Sequence, residues 1–160
     1  MLRKGFSHAW NDLIFSIITS GKVNVKLNDQ LGVFFNTYRG VRQGDPLSPI
    51  LFNLTVDSLN VMIKMAQEAG FITRLVPHLH THGVAILQYA DDTIFMLEEG
   101  LENARNLKFI LCLFEQMSGL KINFLKSEVF TIGGDNLVLE FYSNLFNCQT
   151  ANLPDRKSVV

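Results

Sequence analysis

The sequence has little cysteine: two residues in 160, Cys112 and Cys148. Two thiols provide no disulfide framework, so a packed core has to hold the fold. Cys112 falls within an apolar helical pattern, which predicts a buried, reduced thiol. Charge is also scarce, at 18% of residues with a formal net charge of -1. That balance gives no global electrostatic argument for binding nucleic acid. No run of about 18 apolar residues occurs, so no membrane-spanning helix is expected. Arg3 and Lys4 lead into a mixed segment with Asn11 and Asp12 rather than a secretory leader. The expectation is an intracellular, reducing location, with nucleus or cytoplasm left open.

Hydrophobic residues make up 48% of the chain, which fills the core of about one domain and excludes a disordered class. Thirteen phenylalanines are many for this length and leave room for apolar surface that a partner segment would cover. The charge is unevenly spread. Before Asp45 stand Arg3, Lys4, Lys22, Lys26, Arg39 and Arg42 against Asp12 and Asp29. They form either a local basic area or scattered solvated side chains.

Along the chain, residues 3–19 carry Phe6, Ala9, Trp10, Leu13, Ile14, Ile17 and Ile18 at helical spacing, with Gly21 as the stop and Trp10 as a core anchor. Residues 23–27 alternate apolar and polar, Asn28-Asp29-Gln30 suits a turn, and 31–38 form a second strand. The next stretch is polar and glycine-punctuated, Arg39-Gly40-Val41-Arg42-Gln43-Gly44-Asp45-Pro46-Leu47-Ser48-Pro49. Asp45 can cap the following helix, and Pro46 and Pro49 are tolerable in its first turn. Ile50, Leu51, Leu54, Ser58, Val61, Met62 and Met65 mark the expected apolar face of that helix, and Gly70 ends it. Arg42 and Gln43 either face a substrate, with Gly44 permitting close approach, or belong to a capping loop.

Residues 71–83 read as loop or irregular strand. His78, His80 and His82 alternate, but no further ligand completes a zinc site, so packed or solvated histidines are favoured. Glu98, Glu99 and Glu102 complement the start of a second long helix, whose apolar face is Leu101, Ala104, Leu107, Leu111, Phe114 and Met117. Ser118-Gly119 closes it. Short strands are expected through Ile122 and over 128–132, a turn at Gly133-Gly134-Asp135, and a third helical segment over 137–146 with Leu139, Tyr142, Leu145 and Phe146. Residues 155–160 read as a frayed tail.

The centre of the chain is Leu87-Gln88-Tyr89-Ala90-Asp91-Asp92-Thr93-Ile94-Phe95. Two apolar runs around a short acidic centre predict a hairpin. Adjacent aspartates inside a strand would repel and resist burial, and a hard divalent cation reverses that penalty. The pair is therefore either a metal-binding hairpin that handles phosphates or a solvated turn.

The Arg39-to-Pro49 loop, then Tyr89-Ala90-Asp91-Asp92, then Ser118-Gly119-Leu120-Lys121-Ile122-Asn123 with Lys126-Ser127 resemble, in order and spacing, the reverse transcriptase domain of non-LTR (LINE-type) retrotransposons, most like the plant versions. Leu145-Phe146-Asn147-Cys148 and Leu153-Pro154 resemble the stretch before that family's primer-contacting turn. The resemblance implies an α+β fold: a partial right-hand polymerase palm, with a small antiparallel sheet carrying the aspartate hairpin and backed by two long helices. It implies that residues 1–154 are the polymerase region and 155–160 a divergent tail.

The implied reaction joins a deoxynucleotide to a primer 3′-hydroxyl on an RNA template, with magnesium as cofactor and no membrane partner. Two metal ions roughly 3.5–4 Å apart serve such a displacement. Asp91 is the implied principal ligand and Asp92 the second carboxylate. Tyr89 borders the primer terminus, and Arg42, Gln43 and Gly44 border nucleotide and template. Lys126 is the implied proton donor near the pyrophosphate, with Lys121 the weaker candidate and a solvated structural lysine the alternative. The family's first catalytic motif, its early fingers segments and its thumb have no counterpart here. The expectation is thus a fragment inactive alone and completed by other polymerase segments. The runner-up is an inactive domain kept as an RNA- or protein-binding module.

Overall fold

In a computed structural model, the residues described are 2–37, 44–73, 86–133 and 135–151, without the Arg3 side chain. The fold is α+β, and the chain divides into two compact units, Met1–Phe52 and Asn53–Val160.

The first unit opens with a 3₁₀ turn at Leu2–Lys4, then α1 (His8–Thr19). The Ser7 hydroxyl accepts from the Trp10 N–H at 3.2 Å, so α1 begins later than the apolar spacing suggests. Trp10 is half-buried and stacks on Phe6 at 4.3 Å between ring centroids. Ile14 is the buried residue of α1. β1 (Lys22–Val23) pairs antiparallel with β4 (Phe35–Asn36), and β2 (Lys26–Leu27) with β3 (Gln30–Leu31). The expected hairpin is therefore present, but its ladder is interrupted at 24–25 and 32–34. Asn28 and Asp29 form its turn with positive φ at both positions.

α2 (Ser48–Glu68) starts where Asp45 accepts from the Leu47 N–H at 2.8 Å, as the sequence leads one to expect. Its buried residues are Leu51, Val56, Leu59, Ile63 and Ala66. Ile50, Val61 and Met65 are exposed, so the face is rotated from the expected one. Apolar residues cover most of the circumference of α2, leaving Asn53, Asp57, Asn60 and Lys64 on the remaining side, so its own pattern does not single out the buried face within that wide apolar arc.

In the second unit, Leu59, Ile63, Ala66 and Ile72 form one core with Leu107, Ile110, Leu111 and Phe114 of α3 (Leu101–Ser118). Ile72 is completely buried although its stretch reads as loop. Asn103 ties that stretch down: its Oδ1 accepts from the Thr73 N–H at 2.9 Å and its Nδ2 donates to the Glu98 carbonyl at 3.2 Å. Asn106 Nδ2 donates to the Phe71 carbonyl at 2.7 Å. Gly100 precedes α3, so Glu102 lies in its first turn while Glu98 and Glu99 lie before it, contrary to expectation. Cys112, Leu101 and Met117 are exposed, correcting their expected burial, because residues 103, 104, 107, 110, 111 and 114 already form the inward face.

Gly119 ends α3 at φ 72°. No strand forms at Ile122. Its N–H instead donates to the Glu115 carboxylate at 2.6 Å, and a 3₁₀ turn follows at Phe124–Lys126. β7 (Glu128–Val129) pairs parallel with β8 (Gln149–Thr150) across α4 (Asn136–Phe146), which Asp135 caps. Tyr142 of α4 is buried and its hydroxyl accepts from the Gly100 N–H at 3.0 Å. Lys108 Nζ sits 3.5 Å from the centroid of Phe124. Burial pushes the Cys148 thiol pKa up, against the opposing pull of the Lys108 charge. Among the described residues the strands make four two-stranded ladders rather than one sheet, and no helix is long and apolar enough to cross a membrane.

Candidate active-site hairpin

β5 (Ile86–Tyr89) and β6 (Asp92–Phe95) pair antiparallel with Ile86 opposite Phe95, Leu87 opposite Ile94, Gln88 opposite Thr93 and Tyr89 opposite Asp92. Paired residues share a face, and faces alternate along a strand. Ile86 and Phe95 face inward and pack on the α2–α3 core together with Leu97. Tyr89 and Asp92 share the opposite face with Leu87 and Ile94. The base of the hairpin is thus fixed by burial while its tip projects.

The tip is Ala90-Asp91. Ala90 sits at φ 51°, a conformation costly for a residue with a Cβ. That turn places Asp91 beside Asp92 with both side chains exposed. Tyr89 is 84% exposed, so its ring is a contact surface rather than a core anchor. Gln88 Nε2 reaches the Ala90 carbonyl at 3.5 Å, which braces the turn weakly.

An open cleft runs beside this tip. Asn53, Asp57 and Asn60 of α2 line one side, and Gln88, Tyr89 and Ala90 the other. The three α2 residues were not singled out above, though their spacing of four and three places them on one helix face. Asn103 and Glu115, which fix the neighbouring chain, were also missed. A polar residue at 103, in register with Leu107 and Ile110, was the available signal.

The remaining expected site residues belong to other segments of the chain. Gly44, in the first unit, is exposed at φ 80° with open space beside it, so conformation is what calls for glycine there. Arg42 and Gln43 lie outside the described residues, as do the three histidines and the tail. Lys126 closes the 3₁₀ turn after α3 and is exposed, as is Lys121.

Among the described residues no three His, Cys, Asp or Glu side chains converge on a common point. The Asp91 and Asp92 carboxylates nevertheless suit a magnesium ion in kind. That ion prefers oxygen donors, keeps several waters, and is often held by one or two carboxylates plus substrate phosphates.

Residues 2–155 match the family described as "Reverse transcriptase (RNA-dependent DNA polymerase)". The chain is 27% identical over 119 residues to the Retrovirus-related Pol polyprotein from type-1 retrotransposable element R2 of Popillia japonica, covering 74% of this chain and 18% of that protein. The R2 polyprotein of Nasonia vitripennis is 30% identical over 102 residues, covering 62% of this chain and 9% of that protein. An uncharacterized mitochondrial protein of Arabidopsis thaliana is 42% identical over 55 residues, 34% of this chain and 45% of its own length. The chain therefore spans less than a fifth of either R2 polyprotein. No solved structure matches it significantly. With the loop, the acidic hairpin and the segment after α3 all inside the matched region, the chain belongs to the reverse transcriptase family.

Proposed function

We propose that residues 1–154 contribute the palm hairpin of an RNA-directed DNA polymerase and do not complete the reaction by themselves. The observation that carries this reading is the side-by-side exposure of Asp91 and Asp92 on a turn whose base is locked into the core. Asp91 is the main ligand for magnesium and Asp92 supports it. The ion, when bound, lowers the pKa of a primer 3′-hydroxyl and offsets the charge of the nucleotide phosphates. Tyr89 borders the primer end on the face it shares with Asp92. Gly44, with Arg42 and Gln43, borders the incoming nucleotide and the template. Lys126 Nζ delivers a proton to the departing pyrophosphate.

Two carboxylates from one turn form only one wall of a two-ion site. A facing carboxylate from another polypeptide segment completes it. Loss of one electrostatic contact to a transition state costs about 10²–10³ in rate, and loss of a metal ligand costs at least that.

Two measurements test the reading. Manganese added to the full chain should broaden the amide resonances of Tyr89 to Thr93, and Asp91→Asn should abolish the broadening. Primer extension on an RNA template in magnesium should be absent. Extension that Asp91→Asn eliminates would refute the claim of inactivity. Salt-dependent binding of primer–template with no manganese effect at the hairpin would favour a binding module instead.

A further inference from the structure

We infer that the apolar cleft between the starts of α3 and α4 docks a basic amphipathic segment of a protein partner. Large apolar side chains enter the cleft, and lysines or arginines lie along its rim. The inference goes beyond the polymerase reading and uses none of the residues placed there. Leu101 of α3 and Leu137, Val138, Phe141 and Tyr142 of α4 line the cleft, with Glu99 just before α3. The spacing of the four α4 positions puts them on one helix face. Tyr142 is buried, and its hydroxyl accepts from the Gly100 N–H at 3.0 Å, which ties the two helix starts together and keeps the cleft formed. Leu101, Leu137 and Phe141 stay 43%, 73% and 37% exposed, so among the described residues their apolar surface lacks a cover.

Charge decides what covers it. The two helix starts, residues 98–104 and 135–146, carry Glu98, Glu99, Glu102, Asp135 and Glu140, all exposed, and no lysine, arginine or histidine. Arg105 lies 3.4 Å from Glu102 in an exposed pair. Lys108, two turns along α3 from Leu101, is drawn over the Phe124 ring. The N-terminal dipoles of the two helices offset about one further charge. A negative surplus survives all of these. Such a rim repels a nucleic-acid backbone or an anionic lipid surface. An acidic or neutral protein segment would fill the cleft without using the rim. A basic amphipathic segment buries its apolar side chains at the centre and sets its cations against exposed carboxylates, the core-and-rim arrangement of protein contacts. A helix supplies such anchors at positions three or four apart. The carboxylates select the partner, and the leucines and Phe141 hold it.

The test is fluorescence anisotropy on the full chain with a labelled synthetic amphipathic helix of leucine and lysine. Two counterparts serve as comparisons, one with glutamate for lysine and one with serine for leucine. The native chain should bind the leucine–lysine helix about tenfold or more tighter than either counterpart, and added potassium chloride should weaken that binding. Leu137→Ser should weaken it about tenfold, the size of one lost apolar anchor. Glu99→Lys with Glu140→Lys should reverse the preference toward the leucine–glutamate helix, a result that a folding defect would not produce. All three positions are exposed, and circular dichroism melting checks that the fold persists. Phe15→Ser, on the exposed apolar surface of the first unit, should leave binding unchanged. Equal binding of the leucine–lysine and leucine–glutamate helices by the native chain overturns the inference. So does a charge preference that survives the double substitution, or a Phe15→Ser loss as large as that of Leu137→Ser. Self-association of the native chain that Leu137→Ser abolishes also overturns it, in favour of a second copy as the occupant. Each of these outcomes leaves the polymerase reading standing.

Discussion

The two units of this chain have similar apolar character and differ in what they do with it. In the second, Leu59, Ile63, Ala66, Ile72, Leu107, Ile110, Leu111 and Phe114 close around one another, and the acidic hairpin rests on them. In the first, α1 exposes Leu13, Phe15, Ile17 and Ile18, and the interrupted hairpin over 22–36 exposes Val25, Leu27, Leu31, Val33, Phe34 and Phe35. A helix or sheet needs a second layer to bury its apolar face, and two-residue ladders are marginal alone. The second unit has two helices and a hairpin that supply one another's layer. The first is a layer whose apolar side calls for a further surface. Hydrophobic content therefore does not report where a core lies; mutual coverage does.

The same truncation made in each unit puts that contrast at risk. Phe114 is 4% exposed and Phe15 70% exposed. Phe114→Ala should cost about 3–5 kcal/mol and unfold much of the second unit, because it leaves a cavity between α2 and α3. Phe15→Ala should change stability by no more than about 0.5 kcal/mol, as surface substitutions do. Urea denaturation followed by circular dichroism measures both. A Phe15→Ala cost close to that of Phe114→Ala would mean that the first unit possesses a core, and the contrast would fail.

A smaller effect probes how the second unit is tied together. Asn103→Ala removes the acceptor for Thr73 and the donor to Glu98 inside a buried site. It should cost about 1–3 kcal/mol, the penalty for orphaned buried groups. Hydrogen exchange should show the loss first at the Thr73 amide. A Thr73 amide that stays protected would mean another acceptor holds that segment.

How much of this was legible in the sequence divides along a physical line. Local signals read well. Asp45 caps α2, Gly119 stops α3 in the left-handed region, and Asn28-Asp29 makes the turn between β2 and β3. The pairing about Asp91 and Asp92 also follows from local pattern. Signals that depend on a partner read poorly. Nothing within α2 distinguishes Val56 and Leu59, which are buried, from Val61 and Met65, which are not. Met117 and Cys112 fit a helical stripe by spacing, yet the inward face was already filled. Ile122 has the alternation of a strand, but Glu115 takes its N–H before any neighbouring strand can. The site follows the same division. Tyr89, Asp91 and Asp92 are neighbours in sequence and were found together, whereas Asn53, Asp57 and Asn60 join them only through folding.

The subtlest contrast between the units lies in their turns, and it yields the smallest predicted effect. The first unit bends at Asn28 and Asp29, whose φ values of 47° and 63° suit residues that tolerate the left-handed region. The acidic hairpin bends at Ala90 with φ 51°, where a Cβ costs about 1 kcal/mol. Strain of this sort persists where the surroundings over-determine it, and here the half-buried Ile86–Phe95 pair, packed against the core, does so. Ala90→Gly removes the clash but loosens the unfolded chain by a comparable amount, so the net change should stay within about 0.5 kcal/mol. Ala90→Asn accepts the same φ at less entropic cost and should be the more stable of the two. Thermal unfolding in parallel ranks them. If both variants were less stable than the native chain by about 1 kcal/mol or more, Ala90 would be contributing packing rather than bearing strain, and the turn would owe its shape to that packing.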